Sequence, residues 1–363
     1  MEPKKVIVGL SGGVDSAVTA FLLKKQGYKV IGAFMKNFSE TKNKITRECL
    51  WLEDKKMAQK VASHLRIPLL IFDFEKEYKK NVVKKMISDY SKGLTPNPDS
   101  LCNQIIKFPL FWKEARKHGA DLIAMGHYVK SKKKDNEYGL YIPKDKTKDQ
   151  SYFLYQLKQS DLEHTLFPIG DYTKEEVRRI ARENKFPNYE RKGTVGICFV
   201  GKVNLIEFLG KKLKEKKGKV LTLERNVIGE HPGVQYFTEG QRIGESKGFK
   251  IDKNYLKNKK RKLYIVKKDI KSNTITIAPE GSKALLKKDF LITNLSKIKN
   301  KDIPLNCKIR IRHLGKLIKA KLNLEGEKII CTLQKPVLGL SQGQSAVIYN
   351  KSEMIGGGEI KFN

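Results

Sequence analysis

Short apolar runs alternate with segments of helical pattern through the first ~200 residues: Val6-Ile7-Val8, Val30 to Met35, Leu69 to Phe74 after Pro68, and Leu122 to Met125. The stretches between them, such as Trp51 to Leu65 and Lys107 to His118, are long enough for crossover helices. Strand and helix in this alternation predict an α/β fold with a doubly wound parallel sheet, whose ligands sit at the carboxyl ends of the strands. Thr173-Lys174-Glu175-Glu176 has the form of a capping box and opens a further helix over Val177 to Asn184.

Past about residue 205 the character changes. A lysine-rich, linker-like stretch, Lys211 to Lys219, leads into a mixed segment. Strand-like alternation follows in Thr274-Ile275-Thr276-Ile277, Cys307 to Leu314, Leu317 to Leu322 and Lys328 to Leu333, closed by Ser345 to Tyr349. The expected organisation is a catalytic domain over 1–204, a small central domain over 205–273, and a C-terminal antiparallel β-barrel over 274–363. No internal repeat of fixed period is present.

Charge adds a partner to this picture. Against 39 Asp and Glu stand 74 Lys and Arg, a formal net charge of +35 over 363 residues, and such self-repulsion favours a polyanionic partner. No stretch approaches the ~20 apolar residues of a membrane span, and Met1-Glu2-Pro3-Lys4-Lys5 runs straight into the first strand, so a soluble, cytoplasmic chain is expected. The five cysteines, at 49, 102, 198, 307 and 331, are odd in number and show no Cys-x-x-Cys spacing. Neither a disulfide framework nor an ordinary zinc site follows, and a cysteine role should be chemical.

The glycine turn Gly9-Leu10-Ser11-Gly12-Gly13-Val14-Asp15-Ser16 lies between the first apolar run and the helix-like Ala17 to Lys25. A strand feeding a helix through glycines leaves backbone N–H groups aimed at one spot, where amides and helix dipole together hold phosphate. The Gly-Lys-Ser/Thr ending of a Walker loop is missing, which disfavours ordinary phosphoryl transfer. Ser11-Gly12-Gly13-Val14-Asp15-Ser16 instead resembles the PP-loop of adenylating enzymes, which break ATP between its α- and β-phosphates.

Two cysteines have loop contexts that suit chemistry. Cys102 follows Asn97-Pro98-Asp99-Ser100-Leu101, just before a helix expected to begin near Gln104, where a helix N-terminus would stabilise a thiolate. Cys198 lies in Gly193-Thr194-Val195-Gly196-Ile197-Cys198-Phe199-Val200-Gly201. Cys49, Cys307 and Cys331 read as inert thiols, the last two at strand-like positions.

These loops, together with Ile106-Lys107-Phe108, Gly126-His127-Tyr128, Asp149-Gln150-Ser151-Tyr152-Phe153-Leu154, His231-Pro232-Gly233, Gly240-Gln241-Arg242-Ile243-Gly244, Gly343-Gln344-Ser345 and Gly356-Gly357-Gly358, closely resemble the tRNA-specific 2-thiouridylase family. The resemblance covers essentially the whole chain. It implies ATP-dependent replacement of the C2 oxygen of the wobble uridine by sulfur, in tRNAs for Lys, Glu and Gln. The amide-like C2 oxygen leaves poorly, so ATP adenylates it and AMP departs in its place. By this resemblance Cys198 carries the sulfur as a persulfide. Cys102 is its partner thiol, through a Cys102–Cys198 disulfide or by assisting attack, and Asp99 handles the uracil N3 proton.

The resemblance also places Gly9, Leu10, Ser11, Gly12, Gly13, Val14, Asp15, Ser16, Met35 and Gly126 around ATP, with Met35 backing the adenine. Asn97, Pro98 and Asp99 would receive the flipped wobble base. His127, Lys148, Asp149, Gln150, Arg310, Arg312 and Gln344 map onto or beside tRNA contacts. Magnesium is expected with the pyrophosphate, Asp15 being a possible contact, and the partners are tRNA and a sulfur donor, either a cysteine desulfurase or a relay protein. A monomer is expected. The runs Lys132-Lys133-Lys134 and Lys257 to Lys262 read as flexible surface that contacts RNA only at phosphate.

Four positions depart from the family pattern. Gly193 and Thr194 stand where an acidic residue and Ser are usual, Phe38 where Trp is usual, and Gln342 replaces a proline. Two other readings stay open from the residues: a PP-loop amidoligase or lysidine-type synthetase, which needs no paired cysteines, and an RNA-binding protein with a vestigial loop. An iron–sulfur cluster on Asp99, Cys102 and Cys198 is a variant within the thiolation reading.

Overall fold

The computed structural model describes residues 2–40, 49–193, 205–257, 262–326 and 328–362. Its first sheet has five parallel strands in the order Leu69–Asp73, Lys29–Lys36, Lys5–Gly9, Leu122–Ala124, Thr165–Leu166. Successive strand residues point to opposite faces, and both faces are covered. Val6, Val8 and Leu10 pack with Val18, Leu22, Val61 and Phe186, whereas Ile7 packs on the far side with Phe72, Ile106, Phe111 and Ile123. Each of these fully buried aliphatic side chains contributes roughly 1.5–3 kcal/mol relative to exposure. Lys5–Gly9 has a neighbour on either side, so the loop leaving it opens into the crevice where the winding reverses.

The expected crossover helix near Lys107 is longer than the apolar pattern suggests. It runs from Pro98 to Lys117, with wide π-type turns over Asn103–Leu110. Pro109 lies inside that wide stretch and has no N–H to give to a helical ladder, so local widening accommodates it. The capping box forms as expected: Thr173 Oγ1 accepts from Glu176 N at 3.1 Å, and Glu176 accepts from Thr173 N at 2.6 Å.

The second sheet orders Lys250–Ile251, Val227–His231, Gly218–Leu221, Thr274–Pro279 and Leu263–Asp269. Thr274–Pro279, expected to begin the barrel, belongs here, parallel to Gly218–Leu221 and antiparallel to Leu263–Asp269. Asp269 Oδ1 accepts from Lys271 N and Ser272 N, and Asn273 takes a left-handed φ of +51°, which folds the strand straight back on its predecessor. Alternation alone states that a strand exists; the turn decides which sheet it joins.

Six strands, Leu286–Lys297, Lys328–Leu338, Ile318–Glu325, Asn306–Arg310, Ser345–Asn350 and Glu353–Lys361, make the third sheet, and the last pairs back on the first to close an antiparallel barrel. A hairpin of the first domain, Lys130–Lys134 with Glu137–Tyr141, extends it through Glu353↔Tyr141 and Met354↔Leu140. The Lys132-Lys133-Lys134 run therefore sits on a strand rather than a loose loop, with Lys132 and Lys133 over the rings of Tyr141 and Tyr138. Among the described residues no helix is long and apolar enough to cross a membrane.

Candidate functional site

The glycine loop ends at Gly13, the N-cap of the Val14–Lys25 helix, and no side chain caps that N-terminus. Inside the loop, Ser16 Oγ donates to Gly13 O at 3.0 Å and lies 3.2 Å from Ser11 Oγ, while Gly13 N donates to Ser11 Oγ at 3.3 Å. Gly12 has φ +76°, a conformation cheap only for glycine. Its carbonyl accepts from Asn188 Nδ2 at 3.0 Å and Arg191 Nη1 at 3.1 Å. Loop and helix start form a compact cup of donors for an anion.

Two glycines and two methionines shape the floor. A Cβ on Gly9 would lie 2.8 Å from Met125 Sδ and 3.4 Å from Met35 Cε, so Met35 and Met125 flank the strand end. A Cβ on Gly126 would come within 2.9 Å of Ser16 N and 3.0 Å of Asp15 C, so only glycine lets these segments meet. Asp15 Oδ1 accepts from Lys174 Nζ at 2.6 Å and from the Tyr128 hydroxyl at 2.8 Å. Sequence reasoning missed Met125, Lys174, Asn188 and Arg191. The one signal for Lys174 was its place at the start of a capped helix facing the loop.

Asn97 caps the Pro98 helix, its Oδ1 accepting from Ser100 N at 3.2 Å, and its Nδ2 donates to Ser345 Oγ of the barrel at 3.3 Å. The helix begins six residues earlier than expected from Gln104, so Asp99 occupies its first turn and Cys102 lies a turn inside. The first-turn N–H groups therefore cluster at Asp99 rather than at the Cys102 thiol. Pro98 and Cys102 are buried, and Asp99 is half-buried. Cys198 lies outside the described residues. Gly193 is exposed, and none of the described residues comes within 4 Å of the place a Cβ would take.

The residues expected to meet tRNA converge on the seam between the α/β domain and the barrel. Gln150 exchanges two hydrogen bonds with Tyr128, beside His127. Gln344 is half-buried and immediately precedes Ser345, the partner of Asn97. Lys148 and Arg312 are exposed. Asp149 and Arg310 are not: they form an ion pair at 2.6 Å with side chains 0% and 7% exposed, so each is committed to the other across the seam. His127 is half-buried against Phe108 and Phe167, and its Nδ1 is out of water without a partner among the described residues. Burial, helped by the Lys107 charge, pushes its pKa down to about 3, so the ring is neutral.

The segment before Asn97 joins all three parts. Thr95 N donates to Gln342 O at 2.8 Å, and Thr95 Oγ1 lies 3.2 Å from both Thr238 Oγ1 and Ser341 Oγ. Lys268 Nζ donates to the carbonyls of Gly93 and Phe237, and burial pushes its pKa down to about 8. Of the other cysteines, Cys307 and Cys331 are buried in the barrel, with burial raising the Cys307 thiol to about 12, which suits inert packing. A groove of about 630 Å³ lies on the barrel among Lys288, Lys308, Lys319, Lys321 and Lys351, and includes none of the nucleotide-loop residues. Among the described residues no three His, Cys, Asp or Glu side chains gather as a metal site.

Fold and loop together define an α/β nucleotide-binding enzyme domain of PP-loop type, fused to a small β domain and a closed β-barrel. Residues 4–202 match the tRNA methyl transferase HUP domain, 206–279 the tRNA methyl transferase PRC-barrel domain, and 287–360 the aminomethyltransferase β-barrel domain. The tRNA-specific 2-thiouridylase MnmA of Nitrosomonas europaea is 40% identical over 365 residues, covering 99% of both chains. Its counterpart in Flavobacterium johnsoniae is 38% identical over 403 residues, covering 98% of this chain and 100% of that one. The Ureaplasma urealyticum protein of the same name is 38% identical over 371 residues, covering 98% and 95%. The chain belongs to the tRNA-specific 2-thiouridylase family, sulfurtransferases that act on tRNA.

Proposed function

We propose that this protein carries out ATP-dependent 2-thiolation of the wobble uridine of tRNA, with Lys, Glu and Gln acceptors as substrates. The observation that carries the reading is likeness to 2-thiouridylases along 99% of the chain, on a fold whose glycine loop is built for an anion. The uracil O2 attacks the α-phosphorus of ATP and pyrophosphate leaves, giving an O2-adenylate. The terminal sulfur of a persulfide on Cys198 then attacks C2, and AMP leaves with the oxygen. Cys102 resolves the resulting mixed disulfide, releasing 2-thiouridine and leaving a Cys102–Cys198 disulfide that an external thiol reduces.

Within this reading Gly9 to Ser16 cradle the phosphates, and Met35 and Gly126 border the adenosine. Asn97, Pro98 and Asp99 receive the base, with Asp99 taking the N3 proton. His127, Lys148, Gln150, Arg312 and Gln344 face the RNA, while Asp149 and Arg310 hold the seam on which these residues are displayed. For magnesium the fit is partial. Asp15 is the carboxylate of the loop, and its Oδ1 already accepts from Lys174 and Tyr128, so the ion would be held chiefly by phosphate oxygens and water. The division into three domains, with the central one extended beyond 205–273 to take in the strand Thr274–Pro279, a monomeric state, a cytoplasmic location and a donor that is a desulfurase or relay protein belong to the same proposal.

The test is mass spectrometry of tRNA nucleosides after incubation with ATP and a sulfur source. Oxygen-to-sulfur exchange on wobble uridine, with stoichiometric AMP and pyrophosphate, is expected. Cys198→Ser should abolish it, whereas an amidoligase would survive that change and a vestigial loop would release no AMP. Full activity in iron-free protein would dismiss the cluster variant.

A further inference from the structure

We infer, on the reading that residues 9–16 hold ATP, that Arg191 is a positioning residue which, with Asn188, locks the polarity of the nucleotide loop. Both side chains donate to one acceptor, the Gly12 carbonyl, at 3.1 and 3.0 Å. In a trans peptide the carbonyl and the following N–H point in opposite directions. Drawing Gly12 C=O toward Asn188 and Arg191 therefore turns Gly13 N–H to the opposite side, where it donates to Ser11 Oγ at 3.3 Å, a hydroxyl 3.2 Å from Ser16 Oγ. That is the donor side of the cup.

A Gly-Gly peptide has little steric preference of its own, since both residues accept either sign of φ. Flipped, it would present a carbonyl oxygen to phosphate and replace attraction with repulsion. The lock must come from outside the loop, and the two donors are held for that task. Asn188 is buried, and its carbonyl accepts Arg191 N at 2.9 Å. Arg178 Nη2 donates to the Arg191 carbonyl at 3.2 Å, and Arg191 Nη2 pairs with Asp54 on the Leu50–Leu65 helix. Arg191 also stands just ahead of Gly193, at the root of the chain that continues to Cys198. Arg191 thus ties the Gly12 carbonyl to a stretch of chain whose own backbone is held by Arg178 and Asn188.

The experiment measures KM for ATP and for tRNA in pyrophosphate release, together with melting temperature. Arg191→Met and Asn188→Ala should each raise KM for ATP about tenfold, the effect of losing one hydrogen bond to a charged or buried partner, while KM for tRNA stays within about twofold. Arg191→Lys, which keeps a single cationic donor, should recover part of the loss. Asp54→Asn removes the ion pair but keeps both donors to Gly12, and should shift KM for ATP by less than about threefold. If Arg191→Met fails to fold, Asn188→Ala and Arg191→Lys carry the comparison. Wild-type KM for ATP in folded Asn188→Ala and Arg191→Lys would overturn the lock. Absence of ATP-dependent pyrophosphate release by the wild-type protein would instead overturn the ATP reading beneath it.

Discussion

Asp149 and Arg310 come from different domains and form an ion pair at 2.6 Å with both side chains out of water. The second bond set of Asp149 goes to Ser151 N and Oγ, Ser151 Oγ meets the Tyr349 hydroxyl at 2.9 Å, and the Arg310 guanidinium lies 5.2 Å from the Tyr349 ring centre. Arg310 Nε is buried without a partner among the described residues. A pair so placed adds little net stability over an apolar replacement, yet separating its members is costly. Arg310→Met should lower unfolding stability by about 3–5 kcal/mol in urea titrations, and the double change with Asp149→Asn should regain most of it. Equal losses in single and double variants would show that the two do not act as a unit.

Gly126→Ala should cripple nucleotide use more than folding. Its Cβ would meet backbone atoms of Asp15 and Ser16 at 2.9–3.1 Å, and backbone cannot rotate aside as a long side chain can. The helix N-terminus must then retreat from the anion site. Overpacking of this kind costs about 1–3 kcal/mol of stability, and the displaced N–H groups should raise KM for ATP at least about tenfold. A variant with normal ATP kinetics would place the nucleotide elsewhere.

His127 makes acid sensitivity a property of the seam. Burial and Lys107 hold its folded pKa near 3, against 6.5 for an unhindered imidazole, so it is neutral in the fold. Below about pH 6.5 the unfolded chain takes up a proton that the folded chain refuses, and stability falls progressively from there down to about pH 3. His231, held to about 4 by burial, adds to the same slope. His127→Gln should flatten the decline between pH 6.5 and 4 in chemical denaturation series without removing the His231 share. An unchanged slope would mean that the ring takes up its proton in the folded state.

The parts legible in the sequence are those whose cause is local. Strand, glycine turn and helix occur consecutively, so Gly9 to Ser16 could be read as an anion loop, and Thr173 with Glu176 announced its helix through side chains three positions apart. Arg310 shows what is not local. Cys307, Lys308 and Ile309 alternate buried, exposed, buried, which would turn Arg310 outward with Lys308. It is buried because Tyr349 and Asp149, distant in the chain, cover that end of the strand. The early helix start at Asn97 is hidden for a related reason, since a continuous helix through Pro109 depends on wide turns that no local pattern announces. The donors on Gly12 come from Asn188 and Arg191, and no spacing rule connects them to the loop.

Thr95 should be felt at the Asn97–Asp99 segment, which the proposed function assigns to the base, although it lies outside that segment. Its hydroxyl reaches Thr238 of the central domain and Ser341 of the barrel, and its N–H reaches Gln342 O, so the residues leading to Asn97 and Asp99 are held by both neighbours. The Gln342 contact uses a backbone carbonyl, which a proline at that position would keep. Thr95→Val preserves shape and that backbone bond while removing the hydroxyl from two partners. It should cost about 1–2 kcal/mol of stability and lower kcat for thiolation several-fold, with KM for ATP unchanged because the glycine loop is anchored separately by Asn188 and Arg191. Single-turnover thiolation compared with pyrophosphate release would locate the defect. A rise in KM for ATP with kcat intact would show that the three-domain junction acts on the nucleotide loop and not on the segment bearing Asp99 and Cys102.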